Sequence, residues 1–175
     1  MAGSLIKIDE EIVSSAVASV TLGGSDWDSS YDVYMVRFNN VKCATDNIFL
    51  QARVTASDTP QTTANYDWAA EVLRSGTTFN NQYGTNQTTM RLNGNTLGSA
   101  TNEISNQIIY LFNFNNSSEY SFLTQEGTYQ NTSNQVEGNQ GGFVYTVAEA
   151  HNGIQFYASS GNIDSGTFTL YGLKK

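Results

Sequence analysis

TFTLYGL, residues 167–173, alternates polar and apolar side chains almost to the last residue of the chain. Period-two alternation is the pattern of a half-buried β-strand. Chain ends ordinarily fray, so a core strand placed there implies a fold that needs it to close a sheet. The preceding SSGNIDSG, residues 159–166, reads as turns, with Asp164-Ser165-Gly166 supplying a tight bend. Phe168, Leu170 and Leu173 are expected to face the core, and Thr167, Thr169 and Tyr171 to face outward. Lys174 and Lys175 then form a charged stop at the edge.

Working back from this strand, the same grammar recurs. Apolar, β-branched or aromatic runs fall at 17–22, 31–38 (YDVYMVRF), 47–55 (NIFLQARVT), 87–92, 107–114 (QIIYLFNF), 119–124, 142–148 and 153–159. Residues 65–74 (NYDWAAEVLR) read as a strand in preference to a short helix. The run 107–114 is strongly apolar and belongs at the centre of a sheet. Residues 115–118 (NNSS) are a turn and make 119–124 its hairpin partner. Short strands at this spacing predict a sandwich or barrel. The one helix candidate is residues 9–18, which reads equally as a turn or an arm. The Asn/Gln/Gly-rich residues 131–142 read as a long loop or a mobile hairpin tip.

The expectation is therefore an all-β sandwich or barrel over residues 14–175, preceded by a short N-terminal arm, residues 1–13. In that arm Leu5, Ile6 and Ile8 would dock on a neighbouring subunit by adding a strand to a sheet edge, or would form a strand of the same sandwich.

A length of 175 residues suits one domain. Charged residues are only 14 % and the net charge is −8. The eight Lys and Arg residues form no stripe, which argues against nucleic acid as a partner. The single cysteine, Cys43, excludes an intrachain disulfide and a cysteine-based metal site. The first residues are too short and acidic for a signal peptide, and no apolar run approaches the roughly 20 residues of a membrane span. Folding in a cytosol, with release by lysis, is expected.

His151, the only histidine, sits in a His-Asn-Gly turn and reads as structural. Cys43 has no spacing that ties it to His151, and a buried free thiol is the default. Asp26, Asp28 and Asp32 form the densest acidic group. Such carboxylates can hold Ca²⁺, but the spacing fits no EF-hand loop, and Asp in such loops commonly makes local turns. Glu103, Glu119, Glu126 and Glu137 offer carboxylates for a glycosidase, yet nothing sets a pair of them apart. No nucleophile elbow or phosphate-binding glycine motif is present. No catalytic residue and no cofactor are expected. Tyr66, Trp68 and Tyr83, near loops, are candidates for contact with a glycan or a protein partner.

Three segments carry a resemblance: YDVYMVRFNNV at 31–41 followed by Ala44-Thr45-Asp46, the loop and strand at 62–68, and SSGNIDSGTFTLYGL at 159–173. Together they resemble small structural proteins of tailed phages of aquatic bacteria. Cys43 departs from the pattern, which has a turn residue such as Pro there. The resemblance implies a jelly-roll-like sandwich on a virion, and it brings no catalytic residue with it. The implied function is a non-enzymatic virion structural protein, foremost a capsid decoration (cement) protein. Its partners would be phage coat or tail proteins, and it would form a homo-oligomer, foremost a homotrimer. The alternative is a tail-fibre or receptor-binding module that contacts host surface glycans.

Overall fold

The computed structural model describes residues 4–174. Thirteen strands follow one another: β1 (Ser4–Val13), β2 (Ser19–Gly23), β3 (Val33–Cys43), β4 (Leu50–Ala56), β5 (Thr59–Pro60), β6 (Tyr66–Arg74), β7 (Asn80–Gln87), β8 (Met90–Arg91), β9 (Ser105–Phe112), β10 (Ser121–Gln130), β11 (Val136–Tyr145), β12 (Gly153–Ala158) and β13 (Ile163–Lys174). A single 3₁₀ turn, Gly24–Asp26, is the one helical element among the described residues. None of their helices is long and apolar enough to cross a membrane.

Every ladder is antiparallel. A large sheet runs β1-β13-β3-β9-β10-β11-β6-β7. A small sheet runs β2-β12-β4, with β5 and β8 both pairing with β4. Set aside β6-β7 and β10-β11, and β1-β13-β3-β9 faces β2-β12-β4-β8. Consecutive strands cross between the sheets at each end of the chain: the double Greek key of a jelly roll. The four additional strands widen one sheet only.

The closing strand is interior. β13 pairs with β1 on one side and β3 on the other. Phe168 lies beside Phe38 of β3, with ring centroids 5.5 Å apart. Phe156 of the small sheet meets both, at 5.6 Å from Phe38 and 5.4 Å from Phe168. All three rings are fully buried and join the two sheets. Around them pack Leu170, Val36 and Ile109 from one sheet and Leu22, Ile154 and Leu50 from the other.

Several expectations change. Asp164-Ser165-Gly166 is not a turn before the strand but an irregularity inside it, where the register with β3 shifts twice. Gly166 sits at φ 140°, and a Cβ there would lie 2.8 Å from the Val41 Cα, so only glycine fits. Leu173 lies on the outer face beside Leu5, because Phe168, Leu170 and Gly172 take the inward parity. Of the expected arm, residues 1–3 lie outside the described residues and residues 4–13 are strand β1, the edge of the large sheet, with Ile8 packed against the core. Residues 9–18 form no helix, since antiparallel pairing with β13 captures them up to Val13. Residues 131–142 are mostly strand, because β11 runs ten residues in unbroken register with β10. β7 was not foreseen, since NNQYGTNQ lacks apolar alternation. The expected strand at 87–92 shrinks to Met90–Arg91.

The wide half of the large sheet extends past the small one. Its inner face is covered by the segment after β8, where Leu92 and Leu97 are buried. A polar knot holds that segment. The Glu137 carboxylate, fully buried, accepts from Tyr129 Oη at 2.6 Å, Asn131 Nδ2 at 2.7 Å, Asn95 Nδ2 at 2.9 Å and Arg74 Nε at 3.2 Å. Burial opposes its charge, but these donors and the Arg74 guanidinium hold the carboxyl below its ordinary range.

Three results are expected in urea unfolding. Phe168→Ala loses about 3–5 kcal/mol of stability, because the cavity opens between two sheets. Deleting residues 168–175 leaves no cooperative transition; a truncated chain that still unfolds cooperatively would contradict the closing role of β13. Glu137→Ala costs about 3 kcal/mol, because four donors lose a shared buried acceptor.

Candidate functional site

The outer face of the large sheet is the feature that a closed sandwich does not need. Strand parity builds it. On β3 and β9 the inward set is Tyr34, Val36, Phe38, Ile109 and Leu111, all buried. The opposite parity would ordinarily be polar. Here it carries Val33, Met35, Ile108, Tyr110 and Phe112.

Register lines these residues into two rows across the sheet. One runs Leu5, Leu173, Val33, Phe112, Phe122, Val144 and Asp67, with Phe122 47 % exposed. The next runs Lys7, Tyr171, Met35, Tyr110, Thr124, Gly142, Ala69 and Tyr83. Tyr83, on edge strand β7, is 78 % exposed. Small side chains at Gly142 and Ala69 leave a shallow groove between Phe122 and Tyr83. Its walls are overwhelmingly apolar, with Asp67, Thr85 and Thr124 the polar lining groups. The Asp67 carboxylate already accepts from the Asn86 backbone N–H at 2.7 Å. Such a surface buries apolar side chains well and offers few groups to hydrogen-bond a sugar.

The three aromatic candidates separate. Tyr83 lies on this face. Tyr66 does not: it is fully buried, donating to Gln61 O at 2.8 Å and accepting from Val54 N at 3.2 Å. Burial, foremost, pushes its phenol far up. Trp68 takes the inward parity, and its indole packs beneath Gly84, where a Cβ would lie 2.7 Å from Nε1. The reason is register: Trp68 pairs with Phe143, which belongs to the core. Of the three N-terminal candidates, Leu5 is on the outer face, Ile8 is on the core, and Ile6 is opposite Gly172 at the sheet edge.

The acidic group does not come together as a metal cage. Among the described residues no three His, Cys, Asp or Glu side chains are grouped to hold a metal ion. Asp28 instead accepts from the Ser30 N–H at 3.0 Å, and its carbonyl accepts from Tyr34 Oη at 2.7 Å. Asn115 ties this loop down, donating to Tyr31 O at 2.8 Å and accepting from Trp27 Nε1 at 2.9 Å. Asp26 ends the 3₁₀ turn and Asp32 precedes β3.

No protein family, curated protein or solved structure matches this chain.

One cluster has the residue types of a nucleophilic triad. Ser121 Oγ lies 2.8 Å from His151 Nδ1, and His151 Nε2 lies 3.7 Å from Glu149 Oε1. The ring nitrogens are reversed relative to a serine hydrolase, where Nε2 serves the nucleophile. Ser121 and His151 are buried beneath Phe114 and Tyr145, so no substrate carbonyl reaches them. The cluster is packing. Burial pushes the Cys43 thiol up to about 12, assisted by Asp164, and keeps it from acting as a thiolate. Glu103 is buried and caps its own turn through the Ala100 N–H at 2.7 Å. Glu119 accepts from Asn116 Nδ2 at 3.0 Å in the β9–β10 turn. Glu126 lies on the outer face of β10.

The outer face was missed in the sequence, yet a sign of it was there. QIIYLFNF and YDVYMVRF are apolar on both parities, which is how a strand covered on both faces reads.

Burial lowers the His151 imidazole from 6.5 to about 4. The native state therefore resists protonation that the unfolded chain accepts. The stabilisation is complete above pH 6.5 and is lost as pH falls toward 4, by about 3 kcal/mol in all. Urea unfolding at pH 7 and pH 4 should show that loss, and His151→Gln should show a smaller difference between the two. An equal pH dependence in the variant would contradict the assignment.

Proposed function

We propose that this chain is a non-enzymatic structural module of a phage particle, a decoration protein of the capsid shell. The observation that carries this reading is the outer face of the large sheet: a broad apolar surface on rigid strands, poor in hydrogen-bonding groups. Surfaces of this kind mark protein contact. The three segments that resemble phage structural proteins agree with it. So does a fold in which the polar residues of the site region are spent on turns and knots.

A tail-fibre or receptor-binding role with host glycans is the second reading. Tyr83 favours it, as a ring open to solvent beside the Asp67 carboxylate and the Thr85 hydroxyl. The inward position of Trp68 and Tyr66 weakens it, because one aromatic platform then remains where three were expected.

The test is location. Purified protein should co-sediment saturably with capsid shells and not with isolated tails, host cells or lipopolysaccharide. Binding to tails alone would overturn the capsid role. Binding to cells or lipopolysaccharide that is lost in Tyr83→Ala would establish the glycan reading instead.

A further inference from the structure

We infer that the outer face of the large sheet is the contact between two copies of this chain, packed face to face about a two-fold axis that runs along the strands between β9 and β10. The inference rests on the reading above of this face as a protein contact and assigns it to the contact between copies, so that the dimer meets the shell through its remaining surface; it is tested on the protein alone.

Area comes first. Eight strands about 4.8 Å apart make a face roughly 34 Å wide. Strands of eight to ten residues at about 3.3 Å each add roughly 26–33 Å of length. The product, on the order of 900 Å², matches the ~800 Å² per partner of a stable interface.

The two halves of the face also differ in a complementary way. A two-fold axis along the strands lays β9 over the partner's β10, β3 over its β11, and β13 over its β6. Each half thus meets the other half, with the rows kept in register. The half from β1 to β9 carries the bulk, Tyr171 and Tyr110. The half from β10 to β7 carries the hollow at Gly142 and Ala69, walled by Phe122 and Tyr83. Charge follows the same division. Arg37 and Lys7 are on the first half with one carboxylate, Glu10, which is paired with Lys7 at 3.1 Å, while Glu126, Glu71 and Asp67 are on the second. Turned about the axis, Arg37 comes over the partner's acidic region, and bulk comes over hollow. A chain of net charge −8 repels its own copies over most of its surface, so a face with separated, opposite charges is where two copies can meet. Two sheets packed in this way lie about 10 Å apart with interdigitated side chains. A two-fold, rather than the three-fold expected from the sequence, is what this face fits.

Gly142 gives a clean test. A Cβ there would meet only Leu123 O, at 3.8 Å, so a side chain projects outward without strain in the single copy. Wild-type protein should sediment as a dimer at micromolar concentration. Gly142→Lys should weaken the dimer about a hundredfold or more, because it buries an unpaired charge, while the circular dichroism stays that of the wild type. Gly142→Ala should remain dimeric. Arg37→Glu should weaken the dimer, and Gln140→Lys, which lies across from it on the partner, should restore association in the double variant. A wild-type monomer or trimer, or a dimer indifferent to Gly142→Lys, would overturn the inference. Failure of shell binding with the dimer intact would instead overturn the decoration role.

Discussion

The contact of Phe168 with Phe38 and Phe156 is the interaction on which the rest depends. It joins strands distant in the sequence, and it ties the two sheets to each other at their centre. Because β13 is inserted between β1 and β3, the edge strand β1 has a partner only once β13 is in place. The pairings of β13 with β1 and β3 are non-local, which makes closure a late and cooperative event. Gly166 is part of the same constraint, since its close approach to Val41 lets β13 bend while the Phe168 and Leu170 side chains stay in the core.

From this centre the large sheet grows sideways and the small one does not. That asymmetry makes two problems. The first is the inner face of β10, β11 and β6, which has no sheet opposite it. A segment rich in Asn and Gly solves it, held by the buried Glu137 knot and by Asn139 Nδ2 donating to Leu92 O at 2.8 Å. The second is the outer face, where strands of the sheet's middle turn Tyr110, Phe112 and Phe122 toward solvent. Nothing among the described residues covers them. The functional reading grows from that surplus.

Much of this was legible in residues 167–173 and in the apolar runs. Alternation found the strands of the core, because burial on one face forces period two. The turn chemistry of residues 115–118 found the β9–β10 hairpin. What alternation does not encode is partnership. NNQYGTNQ has no apolar period, yet β7 forms because β6 presents an unpaired edge to it. Residues 131–142 look like a loop by composition, yet a single side chain orders the turn: Asn131 Oδ1 accepts from the Ser133 and Gln135 N–H groups. The aromatic candidates failed for a related reason. Exposure of Tyr66, Trp68 and Tyr83 depends on strand parity and on what lies opposite, and one residue of register separates a half-buried Trp68 from the outer face. The outer face itself was visible as strands apolar on both sides, and was read only as centrality in the sheet.

The claim that the last strand holds the sandwich together is open to one direct measurement, native-state hydrogen exchange resolved to single amides. The account predicts that the amides of Phe168, Thr169 and Leu170 fall in the slowest-exchanging class with those of Val36 and Phe38, opening only with global unfolding. Fast exchange along β13 while β3 and β9 stay protected would show a strand that frays from a finished core, and would contradict it.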